Sequence, residues 1–126
     1  MEIPLSKKFK EIVNKDKQVI AVLLFGSYSR GEHHRDIDIC IVLDKKYSNL
    51  QMSKKRLKFS SLLPTKFDVQ VFQQLPVYIR KRILKDGKIV FCKDEDSLYN
   101  LAYQTIKEFS LFEKTYDMYL AGVKDG

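Results

Sequence analysis

Apolar residues recur at helical spacing between Leu5 and about Lys15, with Leu5, Phe9, Ile12 and Val13 on one face, which predicts a first helix. Gln18 to Phe25 is a continuous apolar run rich in β-branched residues, the signature of a strand buried on both faces. A Gly-Ser turn follows, and Asp36 to Leu43 predicts a second strand. Asn49 to about Leu63 predicts a helix that stops before Pro64, because proline disfavours helical backbone at the residue before it. Lys66 to Phe72 reads as a third strand. Pro76 suits the first turn of a helix running to about Lys85. Asp86-Gly87 should close it, with the glycine in a left-handed C-cap conformation.

Lys88 to Phe91 predicts a short fourth strand, and a last helix begins near Asp94 and runs to about Leu120. Its apolar positions, Leu98 through Phe109 to Tyr119 and Leu120, make one broad face. Part of that face must cover the sheet, and the remainder suits a second copy of the chain or a helical partner. Strands interleaved with helices predict an α+β fold, a small mixed β-sheet with helices packed on it, and residues 1–126 fit one domain.

The composition keeps this picture and narrows it. Apolar residues make up 44% of the chain, ordinary for a globular protein and too many for a disordered one. No apolar run approaches the roughly 20 residues of a membrane span, and the N-terminus has no basic start leading into an apolar stretch. A cytoplasmic protein without a signal peptide or membrane contact is expected. Cys40 and Cys92 both sit in strand-like runs and are expected as reduced core thiols; two cysteines cannot make a zinc site alone. The net charge of +7 suits a polyanionic ligand such as a triphosphate, but the basic residues are spread along helical stretches. Charge by itself decides nothing.

Three short elements carry candidate chemistry. Gly26 and Ser27 follow a buried strand: glycine lets backbone approach a ligand, and N–H groups at a following helical turn favour phosphate. In Asp36-Ile37-Asp38, strand alternation puts Asp36, Asp38, Cys40 and Val42 on one face, the two carboxylates about 7 Å apart. Like charges that close call for a cation, and magnesium prefers carboxylates combined with substrate phosphates. Asp68 shares a face with Gln70 in the third strand, where aspartate is disfavoured. Should this strand pair with Asp36–Leu43, Asp68 joins the other carboxylates, and three carboxylates suit two-metal catalysis.

Gly26-Ser27-Tyr28-Ser29-Arg30-Gly31, then Asp36-Ile37-Asp38, then Asp68 in a later strand resembles the DNA polymerase β-like nucleotidyltransferase superfamily. The short chain, its segments Leu75-Pro76 to Arg82 and Leu84 to Phe91, and its closing helix are similar to the minimal nucleotidyltransferase branch of MntA antitoxin type. The resemblance implies a polymerase β palm-like fold and an enzyme using ATP and magnesium. It implies that Gly26 and Ser27 bind the triphosphate, Asp36 and Asp38 ligate the metal, and Asp68 completes the site and helps activate the acceptor hydroxyl. It further implies AMP transfer from ATP onto a tyrosine of a HEPN-domain toxin, encoded next door. Eight residues separate Ser27 from Asp36, fewer than is usual in antitoxin members, and Arg35 replaces a small polar residue. A tighter glycine-rich turn and a different acceptor side are the expected consequences.

Arg30 is a further candidate donor to the triphosphate, and Lys85 and Lys88 flank the Asp86-Gly87 turn. His33 and His34 read as surface residues of the shortened loop. Tyr116 and Tyr119 read as core or interface residues. No stable nucleic-acid complex is expected, and a homodimer through the last helix is compatible with its wide apolar face. Two other readings remain at this stage. One is transfer to a small molecule or an RNA 3′ end, for which the chain lacks room for an acceptor domain. The other is neutralisation of a toxin by binding alone.

Overall fold

The computed structural model describes residues 5–26 and 36–125. Helix α1 (Lys7–Lys15) starts where the Ser6 hydroxyl accepts the Phe9 N–H at 3.1 Å. Strands β1 (Val19–Phe25) and β2 (Ile37–Leu43) follow. Helix α2 (Asn49–Ser60) opens with a capping box, in which Ser48 accepts the Gln51 N–H and Gln51 accepts the Ser48 N–H. It ends short of the expected Leu63: the N–H groups of Leu62 and Leu63 turn back to the carbonyls of Phe59 and Ser60, three residues behind, and the chain leaves the helix before Pro64.

Strand β3 (Phe67–Val71) runs straight into a single 3-10 turn (Phe72–Gln74) that sequence periodicity did not predict. Gln73 explains it. Its side chain accepts the Leu43 N–H at 3.1 Å and donates to the Leu43 carbonyl at 2.8 Å, filling the place of a strand neighbour at the end of β2. Helix α3 (Val77–Asp86) has Pro76 as its N-cap, and strand β4 (Lys88–Cys92) leads into helix α4 (Glu95–Asp125), capped by Asp94 accepting from the Ser97 N–H. Gly87 is not left-handed as expected; its φ is −71°. Glycine is needed there because a β-carbon would strike the Ile83 carbonyl and lie 3.2 Å from the Leu24 carbonyl.

The sheet has the order β3-β2-β1-β4, with β1 antiparallel to both β2 and β4 and β2 parallel to β3. Helix α2 supplies the crossover that a parallel pair requires. Alternation along the strands then divides the core in two. One face carries Val22, Leu24, Ile39, Ile41 and Val69 against Phe9 of α1 and Met52 and Phe59 of α2. The rings of Phe9 and Phe59 meet edge-on at 5.9 Å. The other face carries Ala21, Leu23, Cys40 and Val42 against Phe72, Ile83 and the first turns of α4. Cys40 is buried, as expected; Cys92 is half-buried at the edge strand.

Helices α3 and α4 run antiparallel. Tyr78 stacks on Phe112 at 6.2 Å, Arg80 holds Glu108 through two hydrogen bonds of 2.8 and 3.0 Å, and the Lys81 ammonium lies 4.5 Å from the Phe109 ring centre. Past these contacts α4 leaves the body. Leu98, Ala102, Thr105, Phe109, Phe112, Tyr116 and Tyr119 follow one another in steps of four and three, a continuous helix-packing seam. Its first half is covered by the domain. Tyr116 and Tyr119, expected in a core or interface, are 54% and 66% exposed. No helix among the described residues is long and apolar enough to cross a membrane.

Candidate active site

Because β2 and β3 are parallel and in register, Asp38 stands directly opposite Asp68. On its other side Asp38 faces Phe25, the last residue of β1, in the antiparallel ladder. These pairings put the C-terminal end of β1 and the N-terminal ends of β2, β3 and β4 at one end of the sheet. Asp38 lies on the face of Cys40 and Val42, half-buried, while Asp68 is exposed on the edge strand. Gln70, two residues along that face, donates its amide to Asp68 Oδ1 at 3.2 Å. Sequence analysis put Gln70 on the Asp68 face but gave it no part in the site.

Asp36 is exposed just before β2, where the Ile37 N–H donates to the Lys66 carbonyl at 2.8 Å and ties the starts of the two strands together. Among the described residues no three His, Cys, Asp or Glu side chains are gathered tightly enough to hold an ion. The expected trio therefore comes as a facing pair, Asp38 and Asp68, with Asp36 two residues ahead. Hard carboxylate oxygens from adjacent strands fit magnesium, which takes few protein ligands and completes its shell with phosphates and water.

Gly26 has a φ of +78°, the one positive φ among the described residues. A β-carbon there would overlap Asp38 Oδ2 and sit 3.2 Å from Asp38 Cγ. Backbone leaving β1 thus passes against the carboxylate, and only glycine allows it. Ser27, Arg30, His33 and His34 lie outside the described residues. Lys85 and Lys88 are exposed at this same end, Lys88 opposite Leu24, and add positive charge beside the turn.

The sequence pattern of the family "Polymerase beta, Nucleotidyltransferase" matches residues 7–96, a span that holds the turn and all three aspartates. The chain belongs to this nucleotidyltransferase family. A protein of Methanocaldococcus jannaschii named as a protein adenylyltransferase is 34% identical over 99 residues, covering 77% of this nucleotidyltransferase and 75% of the relative. Among solved structures, a chain of a toxin–antitoxin complex with AMP-PNP superposes with a TM-score of 0.72 at 22% identity, over 96% of this chain and 98% of that one. A second is a complex of tri-AMPylated Shewanella oneidensis HEPN toxin with an MNT antitoxin, with a TM-score of 0.64 at 18% identity over 91% and 94% of the two chains. These structures share the fold of the nucleotidyltransferase, the mixed sheet with helices on both faces.

Proposed function

We propose that this nucleotidyltransferase is a protein adenylyltransferase of antitoxin type, moving AMP from ATP onto a tyrosine of a HEPN-domain toxin encoded beside it. The observation that carries the reading is the facing pair Asp38–Asp68, set against Gly26 at one end of the sheet. The named activity of the archaeal relative and the toxin–antitoxin neighbours support the choice of acceptor.

In this reading Gly26, Ser27 and Arg30 hold the triphosphate, and Asp36, Asp38 and Asp68 are the metal ligands. Bound magnesium, two ions where all three carboxylates engage, neutralises phosphate charge and lowers the pKa of the attacking hydroxyl. Asp68, at the exposed edge, also receives the proton of the acceptor. The tyrosine oxygen bonds to the α-phosphorus, the bond from that phosphorus to the bridging oxygen of the β-phosphate breaks, and pyrophosphate departs towards the Gly26 turn. Gln70 keeps the Asp68 carboxylate oriented towards the acceptor. Residues 1–126 act as one domain in the cytoplasm, and the free seam of α4 is where two copies pair.

The test is transfer of label from α-labelled ATP, with magnesium, to the neighbouring HEPN protein. Label on a tyrosine of that protein, absent with an Asp36→Ala, Asp38→Ala variant, is the expected result. Label on RNA or a small molecule alone, or full neutralisation of the toxin by the double variant, sinks the assignment.

A further inference from the structure

Helix α4 has 31 residues, about 46 Å of length, and the domain covers only its first half. Tyr78, near the start of α3, stacks on Phe112. Tyr119 stands seven residues beyond Phe112, about 10 Å further along the axis. Helix α3 follows the 3-10 turn at the C-terminal end of β3, whereas Asp68 lies at the N-terminal end of that strand. The free end of α4 therefore leaves the body at the end of the sheet away from the carboxylates.

Six tyrosines lie among the described residues, and their surroundings differ. The Tyr47 hydroxyl is spent on Asp44 Oδ1 at 2.7 Å. Tyr78 is held in the joint between α3 and α4. Tyr99 and Tyr103 sit on the half of α4 that lies along the domain, where the body meets a second molecule first; the Lys107 ammonium also lies 5.4 Å from the Tyr103 ring centre. Tyr116 is stacked on Phe112 at 6.2 Å. Tyr119 is 66% exposed and has neither a hydrogen bond nor a ring contact among the described residues. One turn on stands Gly122, where a β-carbon would meet nothing within 4 Å. Glycine inside a helix costs about 1 kcal/mol relative to alanine, and close packing does not call for it here. A longer side chain at 122 would lean back over Tyr119, because helical side chains point towards the N-terminus. Gly122 leaves the phenol clear on a projecting rod. Asp38 is half-buried, so an acceptor has to be carried into the site, and a projecting side chain is what can enter.

We propose that the enzyme has a second protein acceptor, Tyr119 of another copy of this chain. The proposal rests on the tyrosine-directed, ATP-dependent reading above and adds an acceptor to it. Tyr119 leaves the body at the wrong end of its own sheet, so transfer runs between two copies. The Tyr119 oxygen of one copy bonds to the α-phosphorus of ATP held by the other. The bond from that phosphorus to the bridging oxygen of the β-phosphate breaks, pyrophosphate leaves, and the phenol proton passes to Asp68. The product carries a nucleotide and a phosphodiester anion on the seam through which two copies pair. Burying that charge between apolar faces is costly, so modification and pairing exclude each other.

The experiment incubates the full chain alone with α-labelled ATP and magnesium, beside a parallel reaction with the neighbouring HEPN protein. One AMP per chain, mapped to Tyr119 by peptide mass spectrometry, is the expected result. Tyr119→Phe keeps the ring and removes the hydroxyl; it should lose self-labelling and keep transfer to the HEPN protein. Gly122→Leu should slow self-labelling on the order of tenfold or more, since the phenol no longer seats at bonding distance. A tagged Asp36→Ala, Asp38→Ala copy should gain label when mixed with wild type, and labelled chain should sediment as monomer. Label on the HEPN protein with none on this chain overturns the proposal and leaves the transferase reading standing. So does self-label that persists in Tyr119→Phe. A tagged copy that gains no label overturns transfer between copies, and labelled chain that still sediments as a dimer overturns the exclusion of pairing. No label on either protein overturns the transferase reading itself.

Discussion

Gly26 follows the last residue of β1 against the carboxylate of Asp38, so closely that a β-carbon at position 26 would overlap Asp38 Oδ2. The left-handed φ of +78° adds a second constraint. Gly26→Ala should cost about 1–2 kcal/mol in stability from the backbone alone. It should also displace Asp38, and a misplacement of about 1 Å costs on the order of 100-fold in rate. AMP transfer measured beside a denaturant melt checks both; full activity in the variant means the contact does not set the carboxylate.

Asp38 and Asp68 face each other, and like charges directly opposed on neighbouring strands destabilise a sheet. Asp68→Asn relieves that repulsion at an exposed edge. Stability should stay within about 0.5 kcal/mol or rise. Transfer should fall on the order of 100- to 1000-fold, as when one group that stabilises developing charge is lost. A thermal melt and a steady-state assay on one preparation separate the two effects. Equal loss of both marks Asp68 as a structural residue.

Acid should loosen the join between α1 and α2. Lys55 reaches Asp16 at 2.6 Å, with both side chains largely covered. Burial pushes the Asp16 carboxyl up, but the Lys55 hydrogen bond, the Gln18 N–H and the charges of Lys55 and Lys58 outweigh it and hold the group below its usual 3.8. A folded value below the unfolded one means the stabilisation is fully present above about pH 4 and is lost as pH falls through the lowered value. Asp16→Asn should remove about 1–3 kcal/mol at neutral pH and flatten the acid limb of the stability curve. Urea melts between pH 7 and pH 2.5 test this, and a parallel downward shift at every pH contradicts it.

The free end of α4 predicts a variant that alters association without altering the fold. Tyr116 and Tyr119 continue the packing seam beyond the domain and are mostly exposed. Replacing both by serine should change stability by no more than about 0.5 kcal/mol each, the range of ordinary surface substitutions. Sedimentation should shift from dimer to monomer. A wild type that sediments as a monomer at all concentrations ends the homodimer proposal.

Much of this was legible because the strands are buried on both faces. The unbroken apolar run of β1 and the apolar stretch after Asp38 in β2 gave those elements to within a residue, and alternation around Asp38 and Asp68 gave the face that carries the carboxylates. The pairing that brings the two together was legible only as a condition, since nothing local in Lys66–Phe72 says which strand it joins. Gln73 was missed for the same reason, and Gly87 was read correctly as the close of α3 but with the wrong backbone conformation. Gln73 completes a ladder belonging to a residue thirty positions earlier, and Gly87 is small because a β-carbon would strike the Ile83 carbonyl and crowd that of Leu24, far away in sequence. The tyrosines of α4 misled for the opposite reason: their spacing is that of a packed face, and the face extends past the body it would pack on.

Cys40 sits on β2 two residues from Asp38, fully buried, and burial pushes its thiol well above the ordinary cysteine value. Thiolate is the reactive form, so an alkylating reagent meets Cys40 only when the strand lets go of its neighbours. Cys92, half-buried at the edge, is open to the reagent sooner. The slow phase of labelling is thus a stopwatch for how often the strand bearing the Asp38 carboxylate opens, readable without nucleotide, metal or partner.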